Sequence, residues 1–416
     1  MNLLHRLRPD LEPRLVAVLW LVSLALFFES YDVSMLTSAL GMIARDLGME
    51  ERSLGTYMGI IRLGALPALI VSPLADRLGR RRIFLATMVG MSVGTLLTAF
   101  VQTPAQFVVA QMATRTFLLA GAAVALVIVA EELPAEHRGW AIGVVGALSA
   151  CGHGLGAVLF AAVHHLPFGW RALYAVGIVP MVLLPLFRRG IAETVRFTRH
   201  REATEGVVGA WWHPTAALLR GQPRRAATVA AVAGLLGTGE VAAFQFTGIY
   251  AQNVHGWTPP EYSTMVLVAG ALGILGNVVA GTIGDRVGRR RVGCAFLVTF
   301  PLFAAVFYAG PSHVLPLGFA GIVFCESAGA VMVRALATEL FPTAQRSTAS
   351  SLAMLAQTLG WALGLWLAGL GADALPAIAT RTWQLALCVA ASGALLLALP
   401  ETSRRELEDI SPEAAA

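Results

Sequence analysis

Lysine is missing from the 416 residues, and all 30 basic side chains are arginine. Charge of either sign is scarce: 13% of residues are charged, about half of what soluble globular chains carry. A water-soluble protein of this length needs far more polar surface, so ordinary soluble enzymes and disordered chains are excluded. Cysteine is nearly absent too. The four present (Cys151, Cys294, Cys325, Cys388) sit singly inside apolar stretches, which excludes a disulfide scaffold and a zinc cluster. No phosphate-binding glycine loop and no helical His-Glu-x-x-His occurs, so nucleotide hydrolysis and membrane proteolysis find no motif. Neither catalysis nor a cofactor is expected. The net charge of +5 invites a nucleic-acid partner. The arginines fall between apolar runs rather than on one face, and no such partner is expected.

What the chain has in excess is apolar length, with 56% hydrophobic residues. A spanning helix needs about 20 of them in succession. Twelve such runs can be marked, at 15–40, 53–74, 83–101, 104–130, 139–163, 170–187, 226–252, 262–283, 292–309, 314–338, 346–371 and 382–400. The fold class is therefore an all-α membrane protein of twelve transmembrane helices. The first run follows Arg6, Arg8 and Arg14 as a signal peptide would, but continues through Phe27–Leu40. It is much longer than a cleavable apolar region of about 7–15 residues, and so is read as a retained helix.

An even number of spans puts both termini on one side. The segments on that side hold 23 arginines, the opposite links hold four (Arg45, Arg52, Arg171, Arg381), and three lie within spans. This skew places both termini in the cytoplasm of a multi-pass cell-membrane protein. The longest link, 188–225, carries Trp211 and Trp212; it reads either as a solvated linker or as holding a short helix at the lipid interface.

Half of the chain repeats the other half. The run Asp76-Arg77-Leu-Gly79-Arg80-Arg81-Arg82 returns as Asp285-Arg286-Val-Gly288-Arg289-Arg290-Arg291, 209 residues later. Glu131, Pro134 and Arg138 return as Glu339, Pro342 and Arg346, and Glu193 and Thr194 as Glu401 and Thr402, each offset by 208. Two homologous six-helix bundles are expected, residues 1–187 and 226–416, joined by the cytoplasmic loop 188–225. Parallel halves packed about a central cavity are a transporter architecture.

The Asp-Arg-x-Gly-Arg-Arg motif after the second helix of each half resembles the signature of the major facilitator superfamily. Pro134-Ala-Glu-His-Arg138-Gly139 and Pro400-Glu401-Thr402 are similar to the sugar-porter and organic-solute branch, though Ser72 stands where the motif usually has glycine. The resemblance covers the whole chain. It implies alternating access around a site at the membrane midplane, with a small molecule and protons as partners of a chain that works as a monomer in the bilayer.

Carboxylates and guanidinia at helix ends make charge-assisted bonds, and the repeated motifs supply both. A cytoplasmic gate is expected from Asp76, Arg77, Gly79, Arg80, Arg81, Glu131, Glu132, Arg138 and Glu193, with Asp285, Arg286, Gly288, Arg289, Arg290, Glu339, Arg346 and Glu401 as its second copy. The glycines permit the tight step between helices. The plainer reading is orientation by positive charge alone. Arg334, nearer that side on the tenth helix, is assigned to the gate.

Ionisable residues at mid-span are costly to insert and tend to mark function. At about 1.5 Å per residue, Asp32, Arg62, Arg115, Glu240 and Glu326 lie roughly 12–17 Å from the outer helix ends, with His153 near the middle of its span. Asp32 and Glu240 are 208 apart, matching positions in the first helix of each half. Loss of water favours the neutral form of a carboxyl group, as proton coupling requires, and the family resemblance adds that related symporters often carry an acid in the first helix. Asp32 and Glu240 are therefore the proton-coupling candidates, with an ion pair between Asp32 and Arg62 as the rival. Substrate candidates are Glu29, Arg62, Arg115, His153, Gln245, Tyr250, Asn277, Glu326, Gln357 and Trp361. Arg115 offers a fixed charge to a carboxylate, or alternatively pairs with Glu29 or Glu326. His153 and Glu326 carry equally plain packing and pairing readings.

Three functions follow as expectations. The first is proton symport of a small organic acid or sugar-like metabolite. The second is a proton antiporter exporting drugs or organic cations, less favoured because Gly152-His153-Gly154-Leu155-Gly156 lacks the proline that the resemblance leads one to expect in drug exporters. The third, a transport-inactive sensor, fits poorly with charges kept at mid-span in both halves.

Overall fold

The computed structural model describes residues 11–133, 137–193, 218, 220–341 and 346–403. Trp211 and Trp212 lie outside them, as do the side chains of Asp76, Arg77, Arg138 and Arg346. The described residues form twelve helices. α1 is Pro13–Ser38, continued by Leu40–Asp46, and α2 is Glu51–Leu63, continued by Ala68–Leu78. Then come α3 (Arg80–Thr98), α4 (Pro104–Glu132), α5 (Arg138–Ala161) and α6 (Trp170–Ala175, Ile178–Val182 and Leu184–Gly190). α7 is Pro223–Gln245 continued by Thr247–Asn253, followed by α8 (Pro259–Val287), α9 (Arg289–Ala309), α10 (Leu315–Glu339), α11 (Arg346–Gly369) and α12 (Leu375–Leu385 and Leu387–Leu396).

The interruptions have local causes. Pro67 has no N–H to give and its ring crowds the preceding turn, which separates the two parts of α2. Pro180 and Pro185 divide α6 in the same way. Ten helical stretches among the described residues are long and apolar enough to cross a membrane. α3 and α12 are the other two: α3 opens on three arginines, and α12 is split at Ala386. α12 also begins seven residues before the expected 382, because Pro376 starts a helix well and Arg381 settles its charge locally, donating Nη2 to the Gly371 carbonyl at 3.2 Å.

Two compact units emerge, and each holds its own core. One comprises Met1–Met35, Gly64–Leu159 and Val163–Val207. There Val18, Val22, Phe84, Met88, Leu118, Ile128 and Phe187 pack from α1, α3, α4 and α6. The other comprises Leu36–Leu63, Phe160–Ala162 and Val208–Ala416. Within it Ala280, Val292, Ala328 and Met332 join α8, α9 and α10, and α7 packs on α11 and α12. α8 leaves Val268, Ile274, Leu275 and Val278 exposed, an apolar face suited to lipid rather than water.

In the second unit the first part of α2 lies along α11 at a backbone-to-backbone crossing. A Cβ added at Gly55 would lie 2.5 Å from Gly369 Cα, so the two main chains touch with no side chain between them. A valine at either glycine overpacks this crossing, at a cost of about 1–3 kcal/mol. Gly55→Val and Gly369→Val should each lower the melting temperature of the purified protein, and an unaltered melt in both would show that the crossing is looser than described.

Candidate functional site

At the motif end, each unit ties the start of one helix to a carboxylate far along the chain. Gly79 and Gly288 are the only residues between α2 and α3 and between α8 and α9, with φ of +105° and +116°, a region that a Cβ disfavours. Beside Gly79, Glu193 Oε1 accepts the Arg81 backbone N–H at 3.2 Å; beside Gly288, Glu401 Oε1 accepts that of Arg289 at 2.8 Å. A helix start presents unbonded N–H groups and partial positive charge, so a carboxylate is well placed there. Arg80 Nη2 pairs with Glu131 Oε1 at 3.1 Å, and its counterpart Arg289 pairs with Glu339 and, at 3.3 Å, with Asp285. Arg81 Nη2 donates to the Arg188 carbonyl at 2.6 Å, and Arg290 Nη1 to that of Leu397 at 3.2 Å. Glu132 takes Arg14 at 3.2 Å. The expected acid–arginine pairing is thus present in both copies, each closing within its own unit. Arg286 and Arg334 are exposed.

Deep in the first unit, α1 carries Glu29 and Asp32 one turn apart, α3 brings Thr95, α4 brings Arg115 and α6 brings Tyr174. Thr103 caps α4 by accepting the Gln106 N–H at 3.2 Å, with Pro104 at the first position. That start sets Arg115 eleven residues in, roughly 17 Å along the axis. Asp32 is 2% exposed and Arg115 is 4%. Thr95 Oγ1 donates to Asp32 Oδ1 at 2.8 Å, while Asp32 Oδ2 and the Nε and Nη2 of Arg115 have no partner. Among the described residues neither makes a direct ion pair. Arg115 instead acts at longer range on Asp32, Glu29 and Tyr174. Tyr31 fixes the α1 turn by donating to the Leu173 carbonyl at 2.8 Å. His153 is exposed on α5, and its carbonyl takes Ser34 Oγ at 3.2 Å.

Deep in the second unit a separate chain of polar contacts forms. Gln357 and Trp361 are four residues apart on α11 and so share a face. Gln357 Nε2 and Trp361 Nε1 each donate to Glu240 Oε1 at 2.7 Å. Glu240 Oε2 has no partner, although the residue is 7% exposed. Arg62, from α2, donates Nη2 to Gln245 Oε1 at 2.9 Å and lies 5.7 Å over the Trp361 ring, within cation–π range. Gln245 is 1% exposed and its Nε2 is unpartnered. Glu326 and Arg334 on α10 act electrostatically on Glu240.

The structure therefore gathers Glu29, Asp32 and Arg115 in one cluster and Arg62, Glu240, Gln245, Gln357 and Trp361 in another. Three expected substrate residues stand apart, one of them His153, exposed on α5. The Tyr250 hydroxyl is committed to the Tyr308 carbonyl at 2.7 Å, and Asn277 is exposed on α8. Thr95, Tyr31 and Tyr174 escaped the sequence reading. An uncharged threonine or tyrosine in a span carries no signal that distinguishes a ligand of Asp32 from ordinary packing. Within the described residues no group of acids, histidines and cysteines could hold a metal ion.

The profile of the Major Facilitator Superfamily matches residues 22–283 and 251–413, and the chain belongs to that family. It is a membrane transporter and not an enzyme. Over 197 residues it is 32% identical to the gallate transporter of Pseudomonas putida, covering 46% of this chain and 43% of that one, so this match spans less than half of the relative's length. It is 27% identical to the cis,cis-muconate transport protein of Acinetobacter baylyi over 346 residues, 78% of this chain and 80% of that one. Among solved structures, the inward-open conformation of the xylose transporter XylE from E. coli superposes with a TM-score of 0.73 at 17% identity, covering 95% of this chain and 99% of that one.

The clasp at Glu401 yields a stability test. Hydrogen bonds to charged groups contribute about 1.5–3 kcal/mol, so Glu401→Gln should lower the thermal melting midpoint, and Glu193→Gln less, because its bond to the helix start is longer. Melting of both variants at the wild-type temperature would remove the clasp from the forces holding the fold.

Proposed function

We propose that this chain carries a small organic acid across the cell membrane together with protons, by alternating access. The observation that carries the proposal is Arg115, a guanidinium 4% exposed with two unpartnered donors beside the half-satisfied Asp32. A buried arginine without hydrogen bonds is costly. The planar fork of a guanidinium fits a carboxylate by two parallel bonds, so a carboxylate-bearing solute would supply what Arg115 lacks. The names of the relatives favour the same class: gallate and cis,cis-muconate are both carboxylates. A sugar-like solute would leave the guanidinium unneutralised.

In this proposal Asp32 is the proton carrier. Protonated, it would leave the Arg115 charge free for the incoming anion; deprotonated, it would compete for that charge. Glu240, its counterpart 208 residues on, is the second coupling candidate. Glu29, Arg62, Gln245, Gln357, Trp361, Glu326 and His153 are proposed to line the solute's route. The acid–arginine clasps at the motif end would gate it, with 1–187 and 226–416 as the two homologous halves, 188–225 as the loop between them, and both termini in the cytoplasm.

Uptake of labelled gallate or cis,cis-muconate into proteoliposomes under an imposed proton gradient tests this reading. The solute should accumulate with the gradient, and extrusion against it would instead favour the antiporter. Asp32→Asn should abolish accumulation while leaving exchange of solute for solute, and accumulation that persists in this variant would sink the proton assignment. Arg115→Ala should raise the KM for carboxylates by about 30-fold or more, as expected for removing one side of a buried charged contact. Arg115→Lys should recover only part of this loss.

A further inference from the structure

We propose that a groove between α3 and α6, at the motif end of the first unit, is a binding site for an anionic phospholipid. It encloses about 460 Å³ and is lined by Arg81, Arg82, Arg188, Leu85, Val89 and Leu184 among others. Among the described residues no carboxylate lines it. Arg82 and Arg188 are exposed, and neither has an acidic partner among the described residues. Arg81 is anchored through Nη2 to the Arg188 carbonyl at 2.6 Å, while its Nε is buried and unpartnered.

The order of the residues along the helices selects the ligand. α3 runs away from the motif end, and Arg81, Leu85 and Val89 follow one another at four-residue spacing on one face, each about one turn deeper. α6 runs toward the motif end, so Leu184 lies one turn deeper than Arg188. Three guanidinia therefore stand at the surface end of a trough whose walls become aliphatic with depth. This is the order of a phospholipid, phosphate first and acyl chain below it. Arginines bind phosphate through paired donors, and basic pockets between spanning helices are suited to anionic headgroups. A free phosphate would use the arginines and leave the aliphatic wall without a purpose.

The repeat within the chain supplies a comparison. At the 209-residue offset, Arg81 and Arg82 correspond to Arg290 and Arg291, but Leu85 corresponds to Cys294, Leu184 to Gly393 and Arg188 to Leu397. The backbone contact survives, since Arg290 reaches the Leu397 carbonyl as Arg81 reaches that of Arg188. The trough does not. A Cβ added at Gly393 would lie 2.8 Å from Leu297 Cβ and 3.3 Å from the Cys294 carbonyl, so α12 sits flush on α9. The third arginine and the leucine wall belong to one copy only, and the fold shared by both copies does not require them.

Native mass spectrometry of the full-length protein, titrated with phosphatidylglycerol or phosphatidylcholine, tests the assignment. The wild-type protein should retain phosphatidylglycerol at lower concentrations than phosphatidylcholine. Arg188→Leu, which copies the second half, should weaken phosphatidylglycerol retention about fivefold and leave phosphatidylcholine unchanged, and Arg82→Gln should act in the same direction. Leu85→Trp fills the aliphatic wall without altering charge and should also lose phosphatidylglycerol. Equal retention of the two lipids, or no effect of Arg188→Leu, overturns the proposal. So does displacement of phosphatidylglycerol by millimolar inorganic phosphate, which would assign the arginines to the free anion.

Discussion

A hydrocarbon layer offers no water to a stranded hydrogen-bonding group, and this constraint orders the whole molecule. Each unbonded donor or acceptor in a span must be met by protein, and nearly every helix interior is met by its own backbone. Among the described residues the departures include Asp32 and Arg115 deep in one unit and Glu240 and Gln245 deep in the other. At the motif end, by contrast, the carboxylates of Glu193 and Glu401 are each bonded to a helix start.

The two halves share an ancestor's geometry but use it differently. Asp32 and Glu240 occupy the same position of the repeat, yet one takes a single bond from a threonine and the other takes two from a glutamine and a tryptophan. The first cluster is small and dominated by ionisable groups. In the second, an indole N–H and one amide bind the acid, and Arg62 lies over the indole ring.

Much of this was legible in the sequence because bilayers penalise charge. A carboxylate or arginine in an apolar run is conspicuous, so the spans, the duplicated motif and the deep ionisable residues could all be picked out by counting. Neutral polar residues are not conspicuous. Thr95 could not be told from any other threonine in a span, and Tyr250 and Asn277 passed as cavity residues on depth alone, although one spends its hydroxyl on a neighbouring carbonyl and the other is exposed. Helix breaks were only partly visible: the prolines in α2 and α6 are local signals, whereas the interruption of α1 at Ala39 has none in its sequence. Contacts between distant segments, such as Arg62 with Gln245 and Trp361, depend on the angle at which helices cross, which hydropathy does not encode.

The bare crossing of Gly55 and Gly369 has a mechanical consequence. Dispersion between a few main-chain atoms is weak, and no bulky group at that point has to find a new rotamer or be rehydrated when the segments slide. If the segments slide, such a seam would act as a smooth bearing, fixing alignment while resisting motion little. Resistance to such sliding would fall to polar ties within this unit, such as that of Glu51 on α2 to the Leu375 N–H of α12 at 2.9 Å. The speed of any sliding at that end would then be set by how quickly those few bonds exchange with water.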